Sequence, residues 1–158
     1  MSYKITKLTT ADVLLAKRLI YEWQVEDGVQ EPVVPGDEYL QKLLGQDTFH
    51  AFVATDESLV IGGLSAYEMR MFTSEEDEIF LYEIGVNEHY RQRGVARAMI
   101  DELKKVCVTK GINTFYVGTA TDNEPAKKLY KATGGDMELI PWFTYDLGLG
   151  RVADPPKI

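Results

Sequence analysis

A short run in the middle of the chain, Arg91-Gln92-Arg93-Gly94-Val95-Ala96, constrains the fold more than any other feature. It lies between an apolar stretch with strand character, residues 78–86, and a stretch with helical apolar spacing, residues 93–110. A helix start leaves backbone N–H groups unpaired and carries a partial positive charge. Several of these groups can bind one diphosphate, and Gly94 permits its close approach because glycine has no Cβ. The run therefore predicts a phosphate site at the start of a helix.

The neighbours of Gly94 support the same prediction. Arg91 and Arg93 can add charge-assisted hydrogen bonds to a phosphate, and Ala96 keeps the first helical turn narrow. The chain contains neither the Gly-x-x-x-x-Gly-Lys-Ser/Thr pattern of P-loops nor the Gly-x-Gly-x-x-Gly pattern of dinucleotide folds. On this motif alone, a basic helix start without a ligand stays an equal alternative.

Strand and helix patterns alternate along the chain. The patterns predict helices after Thr10 or Asp12, from Asp37, over residues 93–110 and after Asn123. They predict strands over residues 3–8, 49–54, 59–71, 78–86, 113–119, 137–140 and 142–147. This order indicates an α+β fold (mixed α/β), with a strand-helix-strand crossover in its second half. At 158 residues the chain fits one domain, expected over residues 1–150, with a tail at residues 151–158.

Charge is distributed unevenly along the chain. The formal net charge of −8 argues against nucleic acid as a partner. Residues 19–90 hold 16 acidic side chains and two basic ones, whereas residues 91–130 hold eight basic and four acidic side chains. The first region would attract a cation, and the second would tolerate a phosphorylated ligand.

Several other classes of partner and compartment are not expected. No apolar run approaches the ~20 residues that span a bilayer, and the N-terminus lacks the apolar stretch of a signal peptide. The single cysteine, Cys107, fits a reducing compartment, so we expect a cytoplasmic protein with no membrane partner. His50 and His89 lie far apart in the sequence without a cysteine cluster, so no metal site is predicted.

A longer pattern around the central motif resembles the GNAT superfamily of N-acetyltransferases. The pattern comprises Tyr82-Glu83-Ile84-Gly85-Val86, Arg91-x-x-Gly94-x-Ala96, Asn123, Ala126-x-x-Leu129-Tyr130 and Gly134-Gly135. The predicted order of elements also matches that family from end to end. The resemblance implies a mixed, mostly antiparallel sheet of six to seven strands flanked by four helices, with a splayed parallel strand pair at the acyl-CoA site. It also implies acetyl-CoA as the cofactor.

The resemblance assigns cofactor-binding positions residue by residue. Ile84, Gly85 and Val86 would lie along the pantetheine arm, with the Val86 N–H facing the thioester oxygen. Asn123 would reach the pantetheine amides. The pyrophosphate would be held by the residues of the central run, Arg91, Gln92, Arg93, Gly94, Val95 and Ala96.

The resemblance also indicates two catalytic side chains. Tyr130 matches the tyrosine that lies near the cofactor sulfur in many family members, where a phenol can protonate the departing thiolate. A plain packing role is the alternative for Tyr130. An attacking amine must lose a proton, because free amines are mostly protonated at neutral pH. Glu83 is the predicted base, directly or through water, and Glu78 is the second choice.

Within the superfamily, the chain is most similar to the short, type I aminoglycoside 3-N-acetyltransferases. The match extends over residues 37–147 and includes Asp37-x-Tyr39-Leu40-x-x-Leu43-Leu44 and Glu78-Ile79-x-x-Tyr82-Glu83. That family has an aspartate at the position of Glu83. The resemblance implies a role in antibiotic resistance and a cationic small-molecule amine as acceptor. The predicted acceptor-binding residues are Glu26, Asp27, Glu78 and Glu83.

The residues themselves leave other functions open. An acidic cleft attracts spermidine, a lysine side chain or a basic peptide as well as it attracts an aminoglycoside. A non-catalytic acyl-CoA-binding domain would share the fold, as would an interaction protein whose acidic face docks a basic partner. Relatives of this fold often dimerise, which makes a homodimer one expectation.

Overall fold

The computed structural model describes residues 2–149, which divide into two compact units. The first unit ends at Gly118 and the second begins at Thr119. The first contains β1 (Tyr3–Lys7), α1 (Val13–Glu26), α2 (Asp37–Leu44), β2 (Phe49–Asp56), β3 (Leu59–Arg70), β4 (Asp77–Val86), α3 (Val95–Lys110) and β5 (Phe115–Val117). The second contains α4 (Glu124–Ala132). Within the described residues, no helix is both long and apolar enough to cross a lipid bilayer.

The strands of the first unit form one mixed sheet in the order β1-β2-β3-β4-β5. Neighbouring strands from β1 to β4 are antiparallel, whereas β5 runs parallel to β4 after the crossover through α3. The β4–β5 ladder joins only residues 79–81 to residues 115–117. Beyond it, residues 83–86 pair with β3 on one side and with no described strand on the other. The two parallel strands therefore separate halfway along β4.

Tyr82 forms a β-bulge at the point where the strands separate. Ser65 pairs with Glu83 and Ala66 pairs with Leu81, so Tyr82 is an extra residue on β4. Side chains alternate between the faces of a sheet, and an extra residue shifts that alternation by one. Because of this shift, Glu83 lies on the same face as Glu78 and Phe80, although five residues separate Glu78 from Glu83.

Helices cover both faces of the sheet. On one face, α1 packs so closely that a Cβ built on Gly63 would meet the Leu19 side chain at 2.3 Å. The other face carries Leu64, which is fully buried, and α3 contacts β3 and β4 through an apolar side that includes the fully buried Met99 and Leu103. Glu83 alternates in step with Gly85 and pairs with Ser65, which places it on the α1 face.

The four predicted helices and the first five predicted strands are confirmed in the described chain, but the predicted count of six to seven strands is wrong. Residues 137–140 and 142–147 have no strand conformation. Their composition favours strands, but a strand forms only where a neighbour completes its ladder, and Pro141 cannot donate a hydrogen bond to one. Apolar side chains of this segment, including Trp142 and Phe143, are exposed. The predicted tail, residues 151–158, lies outside the described residues.

Two helix starts differ from the sequence prediction. The apolar pattern predicts that α3 begins at residue 93, but it begins at Val95. Gly94 has φ +81°, a left-handed conformation that cannot belong to a right-handed helix, so the helix begins after it. At the start of α1, Asp12 occupies the N-cap position as predicted, but its side chain makes no capping hydrogen bond there. The side-chain cap is made by Thr9 at the start of the preceding 3-10 turn, Thr10–Asp12, since the Thr9 hydroxyl accepts a hydrogen bond from the Ala11 N–H at 3.3 Å.

Candidate active site

The unpaired edge of β4 lies where the sequence predicts the pantetheine arm. The Asn87 N–H donates to the Ile61 carbonyl of β3 at 2.8 Å. Because backbone groups in an antiparallel pair point alternately to opposite sides, those of Ile84 and Val86 point away from β3. The Val86 carbonyl accepts a hydrogen bond from Arg91 Nε at 2.9 Å. The backbone of Ile84 and the N–H of Val86 thus face the side on which β4 and β5 have separated.

The loop before α3 has an unusual backbone conformation. Gln92 has φ +59° and Gly94 has φ +81°, so two left-handed residues precede the right-handed helix. Such alternation turns successive N–H groups towards a common concavity that can hold an anion. A left-handed conformation is strained for glutamine, and strain of this kind concentrates at binding sites. Among the described residues, no side chain caps the N-terminus of α3.

The start of α3 is also sterically open. A Cβ built on Gly94 would meet nothing closer than the Tyr3 hydroxyl, at 3.7 Å. Arg93 lies over the ring of Tyr90, with its guanidinium carbon 5.4 Å from the ring centre. The backbone at residues 92–96 therefore has room for a diphosphate beside it, and the combined charge of Arg93 and the helix dipole favours an anion there.

Arg91 connects the ends of two elements. Arg91 Nη2 lies 3.6 Å from Glu26 Oε2 at the end of α1, while Arg91 Nε binds Val86 at the end of β4. The sequence places Arg91 with the cofactor and Glu26 with the acceptor, and the structure brings these two residues together. Asp27 follows as the C-terminal cap of α1, with its backbone N–H bound to the Trp23 carbonyl. The roles of all three towards ligands stay predictions.

Glu83 has a distinctive environment on the α1 face. Its Oε2 accepts a hydrogen bond of 2.5 Å from the hydroxyl of Ser65, which is 6% exposed. Burial raises the pKa of the Glu83 carboxyl, and the hydrogen bond from Ser65 offsets only part of that rise. A carboxyl with a raised pKa is a stronger base once it is ionised. Glu83 is therefore suited to take a proton from an amine.

Trp23 packs against β4 at Gly85, two residues after Glu83. A Cβ built on Gly85 would lie 2.7 Å from Trp23 Nε1, so only glycine fits at this position. The indole N–H is buried and has no hydrogen-bond partner among the described residues. Gly85 is predicted in the site, but nothing in the sequence explains why this residue is glycine. Ser65 is not predicted, because it lies in an apolar run on a different strand and carries no motif signal.

The second unit contains the remaining predicted site residues, Asn123 and Tyr130. The prediction that Asn123 caps a helix is confirmed, since its Oδ1 accepts a hydrogen bond from the Ala126 N–H at 3.1 Å. This bond leaves the Asn123 side-chain amide nitrogen as its donor towards a ligand. Tyr130 lies on α4 and is partly buried, and burial raises the pKa of its phenol. Tyr130 therefore stays protonated at neutral pH, as a proton donor must.

Comparison with known proteins places this geometry in a family. A 59-residue segment is 32% identical to the uncharacterized N-acetyltransferase YycN of Bacillus subtilis (strain 168), and the match spans 38% of that protein's length. Two solved structures from uncultured soil metagenomic samples have a TM-score of 0.85 with this chain and cover 92% of it. One is the aminoglycoside acetyltransferase meta-AAC0020 in complex with sisomicin, 26% identical over 96% of its chain. The other is the aminoglycoside acetyltransferase HMB0005, 30% identical over 99% of its chain.

The family match covers most of both described units. Residues 17–134 match the acetyltransferase (GNAT) family, and this range includes β4, the loop before α3, Asn123 and Tyr130. Enzymes of this family use acetyl-CoA as the acetyl donor. The chain belongs to the GNAT family and is an acetyl-CoA-dependent N-acetyltransferase.

Proposed function

We propose that this enzyme transfers an acetyl group to a primary amine of an aminoglycoside, at the 3-N position, by direct attack in a ternary complex. The observation that carries the proposal is Glu83, a partly buried carboxyl of raised pKa beside the unpaired edge of β4. The similarity to two aminoglycoside acetyltransferases, one of them bound to sisomicin, supports this class of acceptor. The acidic Glu78 on the same face of the sheet supports it as well.

The residues of the first unit fit the cofactor. The backbone N–H groups of residues 92–96 bind the diphosphate, because two left-handed residues and the uncapped helix start aim them at one place. Ile84 and Val86 would hold the pantetheine arm: Ile84 through backbone groups that no described strand uses, and Val86 through its N–H, which would face the thioester oxygen. Asn123 would add a side-chain donor. When bound, acetyl-CoA supplies a thioester carbonyl that an unprotonated amine can attack.

Two residues move protons in this mechanism. Glu83, ionised, accepts a proton from the acceptor ammonium group, either directly or through one water, and so generates the nucleophilic amine. The Val86 N–H donates a hydrogen bond to the oxygen on which negative charge develops. Tyr130 Oη then donates its proton to the departing sulfur.

Acidic residues concentrate the acceptor. Glu78 and Glu83 lie on one face of the sheet, so together they attract a molecule with several ammonium groups. Glu26 and Asp27 follow one another at the end of α1 and extend the negative field, although Arg91 offsets part of the charge of Glu26.

A thiol-release assay with acetyl-CoA tests the proposal. The acceptor panel contains aminoglycosides such as sisomicin, spermidine and a lysine-containing peptide, each at equal concentration. We expect turnover with the aminoglycosides only, and mass spectrometry of the product to place the acetyl group on the 3-amine. Faster turnover of spermidine or of the peptide would contradict the proposed acceptor, and acetylation of a different amine would contradict the proposed position.

A pair of glycine substitutions tests the diphosphate site. Gly94→Glu places a carboxylate at the start of α3, and we expect it to abolish acetyl-CoA binding as measured by calorimetry. Gly111→Glu is the matched control, because Gly111 caps the other end of the same helix, also with positive φ, and has open space around it. Equal losses of affinity in the two variants would show that backbone strain, rather than the position of the charge, is responsible.

A further inference from the structure

Aromatic rings form a continuous surface across four strands, on the face of the sheet that carries Glu83. We call this surface the aromatic ledge; it consists of Phe49, Tyr67, Tyr82, Phe80 and Tyr116. Successive ring centres are 5.0, 5.7, 5.6 and 5.5 Å apart. The pairing of Tyr67 with Phe80, and of Phe80 with Tyr116, places these rings on one face by register. The ledge thus extends from β2 across the sheet to β5.

The ledge is accessible, although rings of this size are usually buried. Tyr67 is 38% exposed and Tyr116 is 42% exposed, while Phe80 and Tyr82 are partly buried between them. Packing among the rings fixes their orientation, which gives a ligand a preformed surface and lowers the entropy cost of binding. Exposed aromatic surface of this kind is typical of an interaction site.

Two carboxylates, Glu78 and Glu83, lie beside the ledge on the same face of the sheet. Glu83 pairs with Ser65, which lies two residues before Tyr67 on the same face of β3. Burial, and next the negative charge of Glu83, raises the pKa of the Tyr67 hydroxyl. Burial, and next the charge of Glu78, likewise raises the pKa of Tyr116. Glu78 and Glu83 pair with Met69 and Ser65, which are four residues apart on β3, or about 13 Å at the rise of a strand. The aromatic rings form an apolar floor beside these two cation sites.

We infer that the aromatic ledge binds the rings of the acceptor that are not acetylated, and that the acceptor is a multi-ring aminosugar with an ammonium group at Glu78 while another reacts at Glu83. This inference rests on the proposed acetylation of aminoglycosides. The apolar C–H faces of sugar rings contact aromatic rings by dispersion, and ammonium groups on those sugars are attracted to the ring faces. A single-ring diamine is too short to reach both carboxylates.

Charge favours this occupant over a second copy of the chain. The chain carries a net charge of −8, and a copy packed on the ledge would bring more negative charge to Glu78 and Glu83. A cationic aminosugar instead neutralises both carboxylates while its rings cover the aromatic floor. The ledge therefore favours acceptors that are long enough to reach both Glu83 and Glu78.

Two variants test the ledge against two acceptors. Tyr116→Leu removes an aromatic face and keeps an apolar side chain, and Glu78→Gln removes the distal charge. We expect each to lower kcat/KM for sisomicin about tenfold more than for cis-1,3-diaminocyclohexane, mainly through KM. The matched controls are Phe72→Leu and Glu75→Gln, because both residues are exposed in the turn between β3 and β4 and neither belongs to the ledge. The controls should leave the ratio of the two acceptors at its wild-type value.

Calorimetry separates failure of the ledge from failure of the proposed function. If wild-type enzyme acetylates neither acceptor, the proposed function fails, but sisomicin binding measured directly should still weaken about tenfold in Tyr116→Leu. Equal losses on both acceptors, or no loss of sisomicin affinity in either variant, would overturn the inference. A change in oligomeric state on Tyr116→Leu, measured by sedimentation, would also overturn it, because the ledge would then be covered by a second copy. Unchanged melting temperatures and acetyl-CoA affinity would confirm that the variants are folded.

Discussion

Glu68 and Glu83 are acidic residues on neighbouring strands of one sheet, but their hydrogen-bond partners differ in charge. The Glu68 side chain is only 4% exposed, and its Oε2 lies 2.7 Å from Lys110 Nζ and 3.1 Å from His50 Nε2. Glu83 accepts a hydrogen bond from a neutral partner, the Ser65 hydroxyl, at 2.5 Å. The first carboxylate has a cationic partner, and the second has a partner without charge.

This difference gives the two carboxyls pKa shifts in opposite directions. Burial alone would raise the pKa of Glu68, but hydrogen bonds and charge from Lys110 and His50 outweigh it and lower the pKa. Burial raises the pKa of Glu83, and Ser65 offsets only part of the effect. Glu68 therefore stays ionised and stabilises the fold, whereas Glu83 keeps its proton to a higher pH than an ordinary carboxyl does. Burial by itself does not distinguish a structural carboxylate from a chemical one; the charge of its partner does.

The largest effect is expected from neutralising Glu83. Glu83→Gln keeps the size of the side chain and the possibility of a hydrogen bond with Ser65, but it removes the base. We expect the rate of acetyl transfer at neutral pH to fall by about 10²–10⁴-fold, with acetyl-CoA affinity unchanged. Steady-state kinetics and calorimetry measure the two quantities. A rate within twofold of wild type would show that another group or water removes the proton.

Removing the cationic partner of Glu68 should lower the stability of the fold rather than the rate of acetyl transfer. Lys110→Met keeps most of the aliphatic stem but leaves Glu68 buried without its cation, and we expect unfolding to become easier by about 3 kcal/mol in urea denaturation. Lys105→Met is the matched control on the same helix, because Lys105 pairs with Glu102 at 2.6 Å on the surface. Lys105→Met should lower the free energy of unfolding by about 0.5 kcal/mol or less. Similar costs in the two variants would contradict the distinction between the two carboxylates.

The pH dependence of stability should have opposite signs at the two sites. Glu83 has a raised pKa when folded, so its contribution is greatest below the unfolded pKa and is lost as pH rises through the folded pKa. Glu68 has a lowered pKa, so its contribution is present above the unfolded pKa and is lost as pH falls through the folded pKa.

Urea denaturation between about pH 3 and pH 8 tests these signs, because the Glu68 change lies below the ordinary pKa of a glutamate and the Glu83 change lies above it. Relative to wild type, Glu83→Gln should become more stable as pH rises. Glu68→Gln should become less stable over the same interval. If the stabilities of the two variants, relative to wild type, changed in the same direction with pH, one of the two pKa shifts would be wrongly assigned.

The sequence predicts the position of Glu83 along the chain but not its environment. The strand before the Gly94 motif, the helix after it and the choice of Glu83 all follow from local patterns and from the family resemblance. Simple alternation places Glu83 on the face opposite to Glu78, and only the bulge at Tyr82 corrects this. The bulge depends on how β3 and β4 pair, which a local pattern does not encode.

Partners from distant parts of the chain are the other features that could not be predicted. Ser65 lies 18 residues before Glu83, and His50 lies 18 residues before Glu68. From sequence, His50 is only a scattered histidine in an apolar strand, and Lys110 is only the basic end of a helix. The failure at residues 137–147 has the same origin, because strand propensity is local whereas strand pairing is not.

The smallest and most specific effect on activity is expected from substitution of Ser65. The Ser65 hydroxyl donates to ionised Glu83 and so lowers its pKa, which means that Ser65→Ala should raise that pKa further. We expect the acid limb of the kcat/KM profile to move to higher pH, while the rate on the alkaline plateau falls less than about tenfold. Ser65→Thr restores a hydroxyl and should return the limb towards its wild-type position, and Ser74→Ala, in the exposed turn before β4, should leave it in place. If the acid limb does not move in Ser65→Ala, a group other than Glu83 determines the pH at which activity is lost. Glu83 and Glu68 would then differ only in how they affect the stability of the fold.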